Sequence, residues 1–231
     1  MMIEAKQYRK GMGFTNKGEF VKYLNAKDLV DANWSLIEKR DARIISVFQS
    51  IQPLLMVQSP LDIRAAVMYA RQQIRANDIL MQLNNHGRAI EDVYYKWMQG
   101  YIAELMFTPM IESLLGVKDI MRNGGDDLRN PESFKRKADA DLKSESGKFL
   151  IDVQAGFSNN KGYDIKKHKV NEAIAKPGWT SFLFFADIVN GQYHLQNLNE
   201  LKEATFVPNP RWEGQLCYSV SNKNFKTFLG D

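Results

Sequence analysis

The chain has 231 residues, of which 44% are hydrophobic, and it can therefore bury a sizeable core as one large domain or two small ones. Its formal net charge is +4 and its isoelectric point is about 9.0, which fits a polyanionic partner without requiring one. The single cysteine, Cys217, excludes an internal disulfide framework and favours a reducing compartment.

Two kinds of localisation signal are missing from the sequence. The first residues lack the apolar core of a signal peptide, and the longest helical segments carry charges throughout, unlike a membrane span. A glycine-rich phosphate loop followed by Lys and Ser or Thr is also missing, so no nucleotide cofactor is expected. We therefore expect a cytoplasmic protein that does not contact membranes.

Residues 1–95 have the pattern of a helical region. Apolar residues recur there at the helical period, and helix boundaries are marked by known capping residues. The predicted boundaries are Asn16 and Asn33 as N-caps, an end near Gln52-Pro53, Ser59-Pro60 as a third start, and a long helix from about Arg88 to Leu115 that stops at Gly116.

After Gly116 the pattern changes to alternating strands and helices. We expect a hairpin near residues 138–154, a basic helix over Tyr163–Ala175, a buried strand over Trp179–Val189, and a last strand around Gln215–Val220. The predicted fold class is α+β, with a central mixed β-sheet flanked by helices over residues 96–231. The helical region and this sheet region are expected to form one compact unit.

Polar side chains share one face of the predicted hairpin. With Ser144–Gly147 as the turn, Asp141 lies opposite Leu150 and Asp139 opposite Asp152, and alternation places these aspartates on one face with Gln154. Carboxylates that face each other across a hairpin repel. A bound cation removes that repulsion, so the pattern indicates a divalent-metal site.

Glu104 lies among apolar residues in the segment Tyr101–Phe107. An unpaired carboxylate in such surroundings is costly. Glu104 is therefore either part of a polar site or a glutamate that is ion-paired or half-exposed on an amphipathic helix.

An acidic residue, a hairpin and then acid-x-polar on the next strand resembles the PD-(D/E)xK nuclease superfamily. Here the match is Asp141, ten intervening residues and then Asp152-Val153-Gln154, preceded by Glu104 on the helix before the sheet. Gln154 stands where the family usually has lysine, and in this respect the chain is similar to a subset of type II restriction endonucleases. The resemblance spans roughly residues 100–190 and implies a restriction-endonuclease-like core.

The resemblance also implies roles for individual residues. Asp141 and Asp152 would hold Mg²⁺ beside the main-chain carbonyl of Val153, Glu104 would complete the shell directly or through water, and Gln154 would position the attacking water. Asp139 is an alternative ligand or a residue that supports the ligands.

Basic residues cluster on both sides of the hairpin, and DNA phosphates are their expected partners. The alternative is a solvated surface with no ligand. The candidates are Lys135, Arg136, Lys161, Lys166, Lys167 and Lys169.

The function that the resemblance implies is a Mg²⁺-dependent type II restriction endonuclease that cuts double-stranded DNA at a short specific sequence. Such an enzyme is expected to be a homodimer, because two sites are needed to cut both strands of a palindrome. The alternatives are a structure-selective repair or recombination nuclease of the same fold and a nucleic-acid-binding protein that does not cleave.

Overall fold

The computed structural model describes residues 10–11, 13, 32–83, 88–123, 128, 134, 140–158 and 161–230. Several sequence-based predictions lie outside these residues. They are the helix after Asn16, the candidate ligand Asp139, and the candidate DNA contacts Lys135 and Arg136.

Four α-helices occur in the described part of the chain. They are α1 (Trp34–Ile51), α2 (Ile63–Ala76), α3 (Ile90–Leu115) and α4 (Lys167–Ile174). The predicted start of α1 is confirmed, since Asn33 Oδ1 accepts a hydrogen bond from the backbone N–H of Leu36 at 3.0 Å. The predicted end of α3 is also confirmed, because Gly116 has a φ of 69° and so adopts the left-handed conformation that commonly terminates helices.

The strands form two sheets. The strands are β1 (Met121–Arg122), β2 (Leu142–Ser144), β3 (Phe149–Gly156), β4 (Gly162–Lys166), β5 (Thr180–Asp187), β6 (Gln192–Asn197), β7 (Val207–Asn209), β8 (Gln215–Ser221) and β9 (Lys226–Thr227). The larger sheet has the order β1-β2-β3-β5-β6-β9, in which β3 and β5 are parallel and the other neighbours antiparallel. The smaller sheet is antiparallel with the order β4-β8-β7. The expected α+β class with a central mixed sheet is confirmed.

Both faces of the larger sheet are covered. On one face, α1, α2 and α3 share a continuous apolar core with the sheet, in which Phe107 of α3 packs against Phe184 and Phe228. On the other face, Leu183 and Phe185 of β5 pack with residues of α4, β4 and β8. The predicted boundary between residues 95 and 96 falls inside α3, and the helices and sheet on that side form one core.

The third predicted helix starts later than the sequence indicated. Ser59-Pro60 resembles an N-cap and first turn, but α2 begins at Ile63 and its N-cap is Asp62. The Asp62 carboxylate accepts the backbone N–H of Ala65 at 2.9 Å. Asp62 therefore satisfies a backbone donor that the helix cannot satisfy internally, and Ser59 lies outside the helix.

The predicted helix over Tyr163–Ala175 is correct only in its second half. Residues 162–166 form β4, which pairs with β8, and the helix α4 begins at Lys167. Tyr163 and Ile165 are buried while their neighbours are more exposed, which is the period-two alternation of a strand. Near the end of α4, Ala173 is buried and Ile174 is 39% exposed.

A buried polar contact connects α1 to α3. The hydroxyl of Tyr94 donates to Asp41 Oδ1 at 2.7 Å, and Arg71 of α2 lies 3.3 Å from Asp41 Oδ2. Burial raises the pKa of Asp41 to about 6, against the lowering effect of the Tyr94 hydrogen bond and the Arg71 charge. The three helices that cover the sheet are thus joined by one polar cluster as well as by apolar packing.

No helix in the described ranges is long and apolar enough to cross a membrane.

The start of α2 can be tested with two substitutions. Asp62→Ala removes the cap and should lower the free energy of unfolding by about 1 kcal/mol. Ser59→Ala should change it by less than about 0.5 kcal/mol, because the Ser59 hydroxyl has no hydrogen-bond partner among the described residues. Urea denaturation measures both, and a larger loss for Ser59→Ala than for Asp62→Ala would contradict the assignment.

Candidate functional site

The register of the β2–β3 hairpin differs from the predicted one by two residues. Leu142 pairs with Ile151 and Lys143 with Leu150, whereas the prediction paired Lys143 with Lys148. The turn is therefore Glu145–Lys148. The predicted pair Asp141–Leu150 is wrong because Leu150 pairs with Lys143, and the predicted pair Asp139–Asp152 includes a residue outside the described part of the chain. Asp141 immediately precedes β2 and Asp152 follows Ile151, the partner of Leu142.

A residue outside the hairpin stabilises this turn. The Asp119 carboxylate accepts hydrogen bonds from the Ser144 hydroxyl and from both the backbone N–H and hydroxyl of Ser146. These bonds lower the pKa of Asp119 to about 2. The left-handed residue of the turn is Lys148, with a φ of 53°, rather than Gly147.

A register error of two residues leaves the assignment of faces intact. Ile151 and Val153 of β3 belong to the core beneath α3. Asp152 is 9% exposed and pairs in register with Leu183 of β5, and Gln154 pairs with Phe185. Both polar residues therefore lie on the face that α4 covers.

The Asp141 side chain is hydrogen-bonded to the backbone of β3. Its Oδ2 accepts the N–H of Val153 at 2.7 Å, while its own carbonyl accepts the N–H of Asn123 at 2.9 Å. The carboxylate thus lies beside the residue that follows Asp152. The structure thus places the Asp141 carboxylate next to the segment of β3 that carries Asp152.

Lys169 of α4 completes this group. Its Nζ lies 2.7 Å from Asp152 Oδ1, and its side chain is 27% exposed. Burial alone would lower the pKa of Lys169, but the negative charges and hydrogen bond of Asp152, followed by the charges of Asp141 and Glu172, outweigh burial and raise it. Lys169 therefore remains an ammonium ion at neutral pH. We call Asp141, Asp152 and Lys169 the carboxylate–lysine cluster.

Glu104 has a cationic partner of its own. Its side chain is buried in α3, and Oε2 lies 3.1 Å from Nη1 of Arg122, the last residue of β1. The Arg122 guanidinium also lies 4.5 Å from the centre of the Tyr101 ring. The structure therefore shows the ion-paired glutamate that the sequence left open as an alternative. A role for Glu104 in holding a metal stays a prediction.

A cleft of about 640 Å³ adjoins the cluster, and Lys169 and Gln154 contribute to its lining. Cationic side chains dominate the charge of the cleft, and Asp164 is the acidic residue among its described lining. The cationic residues of the lining are Lys96, Lys166, Lys169 and Arg211. Lys169 also lines a small cavity of about 20 Å³ together with Asp152, so it connects the cleft to the carboxylates.

The described candidates for DNA contact occupy different surroundings. Lys166 lines the cleft with its Nζ 4.1 Å from the centre of the Trp212 ring. Lys167 is exposed, with its Nζ 5.8 Å from the centre of the Phe206 ring, and Lys161 is exposed after β3. Lys169, the remaining described candidate, lines the cleft and also contacts Asp152.

The cluster fits a magnesium ion in the kind of ligand it offers. Mg²⁺ is commonly bound by one or two protein carboxylates, with waters and substrate phosphates as the remaining ligands. Asp141 and Asp152 supply two carboxylates on adjacent backbone segments. Among the described residues no group of three or more His, Cys, Asp or Glu side chains could enclose a metal, so Mg²⁺ here would depend on water and phosphate oxygens.

Sequence reasoning missed two residues of the site and one contact. Lys169 is a predicted DNA contact, but the sequence does not indicate its contact with Asp152. Gln99 and Trp212, which line the cleft, belong to segments far from the hairpin in sequence, and no local pattern indicates their approach.

Comparison with protein-family models, with curated protein sequences and with solved structures finds no match for this chain.

The link between Lys169 and Asp152 predicts a pH dependence. The raised pKa of Lys169 means that its contribution to stability is fully present below the ordinary lysine value of 10.5 and is lost as the pH rises through the folded-state value. Lys169→Met should therefore lower the free energy of unfolding by about 2 kcal/mol at pH 8, and by less at pH 11.

Lys167→Met is the matched control, because Lys167 is the exposed lysine two positions earlier. Urea denaturation at both pH values gives the comparison. Equal effects of the two substitutions at both pH values would show that the Lys169–Asp152 pair does not stabilise the fold.

Proposed function

We propose that this protein is a Mg²⁺-dependent endonuclease that hydrolyses phosphodiester bonds in double-stranded DNA, with the site specificity of type II restriction endonucleases. The observation that carries the proposal is the carboxylate–lysine cluster beside a basic cleft. Two carboxylates suit a divalent cation, and the neighbouring cations suit the phosphate that this cation would accompany.

The order of elements supports the same proposal. A helix bearing Glu104, an antiparallel hairpin with Asp141 and Asp152, a basic helix and a buried strand parallel to β3 follow one another along the chain. This is the order that the resemblance to PD-(D/E)xK nucleases leads one to expect.

In this proposal Asp141 and Asp152 would hold Mg²⁺, with the carbonyl of Val153 as a further oxygen ligand. Glu104 would complete the coordination shell directly or through water. The ion would activate water and neutralise phosphate charge. Gln154 is neutral, so its amide can orient a water molecule by hydrogen bonding but cannot take its proton at neutral pH.

Lys169 supplies the positive charge that the family's usual lysine would supply from position 154. The Lys169 ammonium lies between the carboxylates and the cleft. Its Nζ can donate hydrogen bonds to a phosphate oxygen and stabilise the negative charge that develops there. Lys169 on α4 would thus supply the positive charge that Gln154 on β3 lacks.

Cutting both strands at one site requires two such clusters, and we therefore include a homodimer in the proposal. The exposed lysines Lys161 and Lys167 would contact the phosphate backbone of the duplex. Binding should weaken as salt rises, since each phosphate contact releases counterions.

The nuclease proposal is tested by incubating plasmid DNA with the protein and Mg²⁺ or EDTA. Discrete fragments should form in the presence of Mg²⁺ and should not form in EDTA. Asp152→Asn should lower the rate by about 100-fold or more, whereas Asp92→Asn, at a surface ion pair with Arg40, should leave it unchanged.

Other outcomes separate the alternatives. Cleavage of branched DNA with no preferred duplex site would support a structure-selective nuclease in place of a restriction enzyme. Binding that is indifferent to Mg²⁺, with no cleavage of any substrate, would contradict the proposal and favour a non-cleaving binding protein.

A further inference from the structure

Gln99 is a buried polar residue whose side-chain oxygen is unpaired within the described fold. It lies in α3, it is 6% exposed, and its Oε1 has no hydrogen-bond partner among the residues that the structure describes. Leaving a buried amide oxygen without a partner costs roughly 1–3 kcal/mol. A group bound from outside the chain can supply the missing donor.

The neighbouring residue leaves room for such a ligand. Gly100 lies in the interior of α3, where glycine is unfavourable relative to alanine. A Cβ built on Gly100 meets no atom within 4 Å, so helix packing does not require glycine here. Both Gln99 and Gly100 line the cleft that also receives Gln154 and Lys169, and the absent side chain widens the cleft at that point.

The same cleft contains an exposed aromatic ring. Trp212 is 41% exposed, and the Lys166 ammonium lies 4.1 Å from its ring centre. Exposed aromatic rings next to cations are typical of sites that bind unstacked nucleobases, because the ring stacks on the base while the cation contacts the phosphate. The volume of about 640 Å³ lies within the range of pockets that enclose small molecules.

We infer that this cleft binds one nucleobase of the DNA strand, taken out of its stack, with the amide of Gln99 hydrogen-bonded to the base edge. The inference rests on the proposed function, since the strand held at the carboxylate–lysine cluster is the one that supplies the base. Gly100 leaves space for the base, Trp212 provides a stacking surface, and Gln99 recognises the polar atoms of the base. The specific contacts of the protein with DNA would thus include one nucleotide bound in this cleft.

The test compares two single-stranded ligands of equal length and charge in the absence of Mg²⁺. One is a mixed-sequence oligodeoxynucleotide, and the other is an abasic oligomer with the same sugar–phosphate backbone. Fluorescence anisotropy measures both dissociation constants. The wild-type protein should bind the oligonucleotide with bases about tenfold more tightly than the abasic one.

Gln99→Leu should reduce this preference about tenfold while leaving affinity for the abasic oligomer unchanged. Gln72→Leu is the matched control, because Gln72 is an exposed glutamine on α2, and it should behave as the wild type. Gly100→Leu is a second variant. It should not lower the thermal stability, because leucine favours helix and the space is open, but it should abolish the preference by filling the cleft.

Equal affinity of the wild-type protein for the two ligands, or an equal loss for both ligands in Gln99→Leu, would overturn the inference and leave the nuclease proposal standing. A retained preference in a folded Gly100→Leu variant would also overturn it. Binding of neither ligand would count against the proposed function and the inference together. A base preference in a protein that cleaves no DNA would remove the nuclease proposal but support the base-binding cleft.

Discussion

The contact between Lys169 and Asp152 is the interaction on which the site depends. It places a positive charge 2.7 Å from a buried carboxylate and connects α4 to the centre of the mixed sheet. Two aspartates that approach each other on adjacent segments repel unless a cation lies nearby, and Lys169 provides that cation. The same ammonium lines the basic cleft, so the residue that stabilises the carboxylates is also accessible to an anion bound beside them.

The rest of the fold holds this contact in place from both sides. The apolar core shared by α1, α2 and α3 covers the face of β3 opposite the aspartates, and its buried side chains fix the position of the strand. The smaller apolar cluster, which includes Val170 and Ala173 of α4, keeps that helix against the other face. Because α3 also contributes Gln99 and Gly100 to the cleft, the helix that supports the sheet also shapes the space in which we propose that a base binds.

Features that depend on residues close together in the chain can be predicted from the sequence. Features that depend on contacts between distant segments cannot. The ends of α1 and α3 follow from Asn33 and Gly116, and the two faces of β3 follow from simple alternation. The hairpin turn is hydrogen-bonded to Asp119, 25 positions before Ser144, and the residues of the turn alone do not indicate this contact or the observed register. β4 is stabilised by pairing with β8, far along the chain, and its short apolar pattern alone does not distinguish a strand from the start of a helix. The role of Lys169 likewise depends on tertiary contact, because local sequence describes it as one more residue of a basic run.

The central claim, that the carboxylate–lysine cluster binds a divalent cation, is tested most directly by NMR during a Mg²⁺ titration. The amide signals of Asp152 and Gln154 and the side-chain ammonium signal of Lys169 should shift together and saturate, since an ion at Asp152 changes the charge beside each of them. In Asp152→Asn these shifts should disappear. Signals that do not respond to Mg²⁺, or that respond equally in wild-type and Asp152→Asn proteins, would contradict the claim.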